Sequence, residues 1–118
     1  DAIENARENA SNNGIENATF FVGDVGEVMA SEAFRDVVGP NVELVVVDPP
    51  RAGLFPAAIE QIAELSPARL VYVSCNPKSL ARDLAMLAER GYKALEVQPI
   101  DMFPQTYHVE NVALIERV

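Results

Sequence analysis

The sequence holds one cysteine and one histidine in 118 residues, so an internal disulfide and a zinc site built from several cysteines are both excluded. So little cysteine fits a reducing, cytoplasmic setting. No apolar run approaches the ~18–20 residues that cross a bilayer, so no membrane partner is expected. The acidic, Asn-rich N-terminus has no signal-peptide pattern. Basic residues are scarce: nine Lys and Arg stand against 18 Asp and Glu, giving a formal charge of −9 and a pI near 4.4. Taken alone, that is the wrong sign for a surface whose affinity comes from phosphate contacts. Repeats, low-complexity segments and linkers are also lacking. With 49% hydrophobic and 23% charged residues, the composition predicts one small globular unit with a thin core.

Helical spacing of Ile3, Ala6 and Ala10 predicts a helix over 1–13, stopped by Gly14. A short strand is expected at 19–22, ending at Gly23-Asp24, then a weak helix over 25–34. The nearly continuous apolar run at 42–47 predicts a strand buried on both faces, stopped by Asp48-Pro49-Pro50. Pro56 at the first turn predicts a helix over 56–65, with Ile59 and Ile62 inward. A second buried strand is expected at 69–73. Asn76 and Pro77 then cap and start a helix whose apolar stripe is Leu80, Leu84 and Leu87 and whose end is Gly91. Strands at 92–97 and 111–118 close the chain, joined by an irregular stretch over 98–110. Strands alternating with helices imply an α/β fold with a mostly parallel sheet.

In such sheets ligands sit beyond the carboxyl ends of the strands. Asp24, Asp48 and Cys75 each follow an expected strand, so all three should converge on one rim. Cys75 precedes a helix N-terminus, whose free N–H groups favour an anionic, nucleophilic sulfur. A lone cysteine can equally be a small buried hydrophobe. Asp48 could orient a ligand or simply form a turn, and Arg51 could meet a phosphate or a surface acid. Asp24 could touch an adenosine moiety, although Gly-Asp is a common turn. Glu110 ends an irregular loop of a kind that often carries function. A Cys75–His108 thiol dyad has no supporting motif, and a solvated or capping His108 is the default.

Three motifs in order, Asp-Pro-Pro-Arg-Ala-Gly (48–53), Val-Tyr-Val-Ser-Cys-Asn-Pro-Lys-Ser-Leu-Ala-Arg-Asp (71–83) and Asp-Met-Phe-Pro-Gln-Thr-Tyr-His-Val-Glu (101–110), closely resemble the RNA uracil-5-methyltransferases of tRNA and ribosomal RNA. The Asn12-Asn13-Gly14-Ile15-Glu16-Asn17 segment resembles the same family. The resemblance implies a Rossmann-like class I methyltransferase sheet, mostly parallel with an antiparallel last strand. It also implies S-adenosyl-L-methionine as methyl donor and RNA as partner through the full-length enzyme. Within it, Cys75 is the nucleophile, Glu110 the general base, and Asp48 and Asp24 contact the donor. A class I enzyme acting on an exocyclic amino group remains an alternative, although Arg51 stands where such enzymes carry an aromatic residue. A non-enzymatic oligomerising module is another.

The family's domain starts with a strand, a Gly-rich loop for the donor's methionine part and a second strand, none of which is recognisable here. In its strand order, 3-2-1-4-5-7-6, the two absent strands lie between those ending at Asp24 and Asp48. A sheet with that gap leaves backbone groups unpaired. The expectation is therefore a C-terminal portion of the catalytic domain. Its sheet gap is filled by another chain or a homo-oligomer, or its strand at 19–22 packs non-natively, and alone it binds donor weakly.

Overall fold

The computed structural model describes residues 2–100 and 110–118. They form two compact units, Asp1–Gly39 and Pro40–Val118. Among the described residues no helix is long and apolar enough to cross a membrane.

The N-terminal unit holds α1 (Ala2–Asn12), α2 (Val25–Ala30) and α3 (Glu32–Val38). The expected helix over 25–34 is two helices, because Ser31 interrupts it. Its backbone N–H caps α2 on Val28 O at 3.0 Å, and its Oγ accepts from Phe34 N at 3.2 Å to start α3. Serine competes with the helix ladder for its own backbone, which is why it splits such a run. The strand expected at 19–22 does not form. A strand exists only through its ladder, and among the described residues none pairs with this segment.

The C-terminal unit runs β1 (Leu44–Val47), α4 (Pro56–Leu65), β2 (Arg69–Ser74), α5 (Pro77–Ala88), β3 (Tyr92–Ile100) and β4 (Glu110–Arg117). Its sheet has the order β1-β2-β4-β3, with β1 and β2 parallel and β4 antiparallel to both neighbours. Three strands thus point one way and the last points back, as the expected α/β architecture requires.

Local signals explain the helices. Pro56 opens α4, and Ser66, in the left-handed region at φ 49°, ends it. Asn76 caps α5 through its side chain, which accepts from Lys78 N at 3.1 Å. α4 and α5 pack on each other, and the buried core gathers Ile59, Ile62, Leu70, Tyr72, Leu80, Leu87, Ala113 and Ile115. Each fully buried large aliphatic there contributes about 1.5–3 kcal/mol relative to exposure.

Two further expectations about strands need correction. β1 is not buried on both faces: Leu44 and Val46 are 53% and 62% exposed, and among the described residues β1 is hydrogen-bonded to β2 alone. β3 continues to Ile100, into the stretch expected to be irregular. Pro99 is tolerated there because β3 is the opposite edge, so its missing N–H costs no ladder bond on the outer side. A register shift between Ala94 and Glu96 marks a bulge at Leu95. Asp1 and residues 101–109 lie outside the described residues, and with them most of the third motif and His108.

Candidate active site

β1 and β2 run parallel with Val47 opposite Tyr72, so the residues that follow them, Asp48 and Cys75, emerge from the same rim of the sheet. The antiparallel β2–β4 ladder pairs Ser74 with Asn111 as its last rung. Cys75 follows that rung and Glu110, the first residue of β4, precedes it, so both lie at the same end of the β2–β4 ladder.

Cys75 is exposed, so it is not the buried apolar plug that a lone cysteine often becomes. The turn that presents it is built by its neighbours. Ser74 Oγ accepts from Asn76 N at 3.1 Å and donates to Asn76 O at 2.9 Å, bracketing Cys75 from both sides. Asp48 is exposed, and among the described residues its carboxylate accepts no hydrogen bond. Glu110 is half-buried and pairs with Ile100 of β3.

Asp24 is positioned by other means than a strand end. It follows no strand, and it belongs to the N-terminal unit, where it caps α2 through Oδ1, which accepts from Glu27 N at 3.2 Å. Of the three expected strand ends, the C-terminal unit holds two, Asp48 and Cys75, at the end of its sheet where Glu110 opens β4.

A second group of residues holds this rim in shape, and the sequence reading assigned none of them that task. Asn76 Nδ2 donates to Arg51 O at 3.0 Å, and Ser79 Oγ lies 2.9 Å from the same oxygen. Arg82 Nη2 donates to Ala52 O at 2.5 Å. Asp83, fully buried, accepts from Leu54 N at 2.7 Å and from Tyr72 Oη at 2.5 Å. Burial pushes the Tyr72 phenol well above its ordinary pKa, and the hydrogen bond to Asp83 adds to the rise. A signal for Asp83 was present: it falls on the i, i+3, i+7 stripe between Leu80 and Leu87, where a carboxylate has no business without partners. Among the described residues no group of His, Cys, Asp and Glu could hold a metal ion.

A sequence model of the tRNA (uracil-5-)-methyltransferase family matches residues 2–118. An uncharacterized RNA methyltransferase of Clostridium acetobutylicum is 52% identical over all of this chain and 25% of its own length. A second, from Caldanaerobacter subterraneus subsp. tengcongensis, is 48% identical over 99% of this chain and 25% of its own length. The chain thus spans about a quarter of the length of these curated relatives. Among solved structures, the Pyrococcus abyssi tRNA (uracil-54, C5)-methyltransferase in complex with S-adenosyl-L-homocysteine superposes with a TM-score of 0.78. It shares 41% identity, over 97% of this chain and 25% of that one. On these grounds the chain belongs to the tRNA (uracil-5-)-methyltransferase family.

Proposed function

We propose that the protein carrying this chain transfers a methyl group from S-adenosyl-L-methionine to C5 of a uridine in tRNA or ribosomal RNA, and that this chain is a C-terminal portion of the catalytic domain. Cys75 is the nucleophile and Glu110 the base. One observation supports the reading: the exposed Cys75 directly follows β2 and Glu110 opens β4 next to the Ser74–Asn111 rung, at the same end of the sheet where Asp48 follows β1.

Uracil C5 is too weak a nucleophile to take a methyl group unaided, and a covalent detour divides that difficulty. The Cys75 sulfur, as thiolate, adds to C6. The C5=C6 electron pair moves into the ring as an enolate, and C5 becomes nucleophilic. Bound S-adenosyl-L-methionine supplies a methyl group on a positively charged sulfonium. C5 takes that methyl group, and the bonding pair is left on the donor's sulfur. The Glu110 carboxylate then accepts the C5 proton, the freed pair restores C5=C6, and Cys75 leaves as thiolate. A positioned base of this kind contributes roughly 10²–10⁴-fold in rate.

The residues present fit part of a donor site. Asp48 offers an exposed carboxylate, an acceptor suited to a hydroxyl or amino hydrogen of the donor. With a formal charge of −9, this segment is a poor source of phosphate affinity, so the grip on RNA falls to the rest of the protein. Incubating the intact protein with unmodified tRNA and ribosomal RNA and a labelled donor tests the reading. Label in 5-methyluridine after digestion supports it, and label on an exocyclic amine or a ribose oxygen refutes it.

A further inference from the structure

One carboxylate takes no part in the chemistry above and yet has no exposed surface. Asp83 lies on α5, and its Oδ2 joins two other elements: it accepts from Leu54 N at 2.7 Å in the loop after β1 and from Tyr72 Oη at 2.5 Å on β2. Its Oδ1 lies 3.2 Å from Arg82 Nη2. Burying a carboxylate is costly, and a well-packed apolar residue is often as good for stability or better. Leu80 and Leu87 flank Asp83 on the same stripe, so an aliphatic side chain would suit that position if packing were the only demand.

What an aliphatic side chain cannot do is accept the Leu54 N–H and the Tyr72 O–H together. The loop comes unusually close to receive that bond. Gly53 has φ +82°, and a Cβ there would sit 2.6 Å from Asp83 Oδ2 and 2.7 Å from Arg82 Nη2. Only glycine permits both the conformation and the approach. Asn76, Ser79 and Arg82 fasten the same loop by its carbonyl oxygens. The loop begins at Asp48, and the helix that grips it begins just beyond Cys75.

We infer that Asp83, together with Tyr72, is a positioning residue that locks the 48–54 loop to the helix behind Cys75, so that the donor side and the nucleophile side of the site keep a single spacing. The inference rests on the roles proposed above for Cys75 and Asp48. Either ligand alone needs only its own half, whereas the methyl-transfer transition state spans both. Loosening the lock should therefore slow the chemical step more than it weakens either ligand.

The test uses the intact protein, with Tyr72→Phe, Asp83→Asn and Cys75→Ala compared in single-turnover methylation at saturating RNA and donor. Rates are taken per folded molecule, with the thermal midpoint recorded for each variant. Small misplacements of reacting groups cost up to about 10²-fold, so Tyr72→Phe and Asp83→Asn should lose about tenfold or more in rate. Dissociation constants for the RNA and for S-adenosyl-L-homocysteine, measured by titration, should stay within about threefold if the loss belongs to the transition state. A merely structural role would lower the thermal midpoint and leave the rate per folded molecule unchanged. Tyr72→Phe, which keeps the ring and its packing, decides the matter if Asp83→Asn does not fold. Parental rates in the folded variants, or a loss confined to ligand affinity, overturn the inference. Activity surviving in Cys75→Ala would instead overturn the nucleophile assignment, a separate and distinguishable failure.

Discussion

Ser74 and Asn111 face each other as the last rung of the β2–β4 ladder, and the placing of Glu110 at the same end of the sheet as Cys75 depends on that pairing. A slip of one residue in the register would turn β4 over and send Glu110 to the other face. Alternation guards against the slip, because Ala113 and Ile115 are buried beside Leu70 and Tyr72 and would all be expelled together.

Glu110→Gln in the intact protein keeps the size of the side chain and removes the base. Methyl transfer to the adducted uridine should still occur, but the C5 proton stays and release stalls. Denaturing gels should show a protein–RNA complex accumulating with natural uridine RNA. Normal release of methylated RNA would remove Glu110 from the proton step.

Asn76→Ala should destabilise the protein twice over. Loss of the α5 cap costs ~1 kcal/mol. Loss of the Nδ2 bond to Arg51 O removes another ~0.5–1.5 kcal/mol. Chemical denaturation should show a lower midpoint with an unchanged slope, and an unchanged midpoint would mean the cap contributes nothing.

Gly53→Ala places a methyl group against Asp83 and Arg82 in a backbone region that L-residues avoid. A strained position of this kind costs about 1–3 kcal/mol, before any displacement of Asp83 is counted. The thermal midpoint should fall clearly. Gly14→Ala provides the contrast: its φ is +69° but nothing lies within 4 Å, so only the backbone strain applies.

How much of this was legible in the sequence depends on whether the signal is local. α4 was readable from Pro56 and the inward Ile59 and Ile62, and α5 from Asn76-Pro77 and its leucines, because caps and periodicity act over a few residues. The exposure of β1 was not readable. Val45, Val46 and Val47 look alike whether a strand is central or at an edge, and neighbours in space decide which. The segment at 19–22 has strand-like residues and no ladder, for the same reason. At the site, Cys75 and Asp48 were legible as strand ends, whereas the start of β4 at Glu110 beside the end of β2 is a matter of register. Asp24 looked like a third strand end and is a helix cap. Asp83 carried a local clue, a charge on an apolar stripe, but its partners Leu54 and Tyr72 are distant in sequence.

Tyr72 makes stability fall at high pH. Burial and Asp83 raise its phenol above the ordinary value of 10.0 in the folded state, and burial raises Tyr92 as well. A raised folded pKa means the stabilisation is intact below pH ~10 and is lost as the unfolded chain alone ionises above it. A strongly raised phenol such as Tyr72 contributes a slope approaching about 1.4 kcal/mol per pH unit there. Denaturation midpoints measured across that range should decline steeply, and less steeply in Tyr72→Phe. Equal slopes would show that Tyr72 ionises as freely in the folded protein as in the unfolded chain.

The central claim is a bond between Cys75 and uracil C6, and RNA carrying 5-fluorouridine at the target tests it directly. Fluorine replaces the proton that the base must remove, so methyl transfer can proceed while elimination cannot. With donor present, the intact protein should form a covalent complex that survives denaturation, with the nucleotide mass on the peptide holding Cys75. Cys75→Ala should form none and should make no 5-methyluridine from natural RNA. A complex mapped to another residue, or full methylation by Cys75→Ala, would contradict the account.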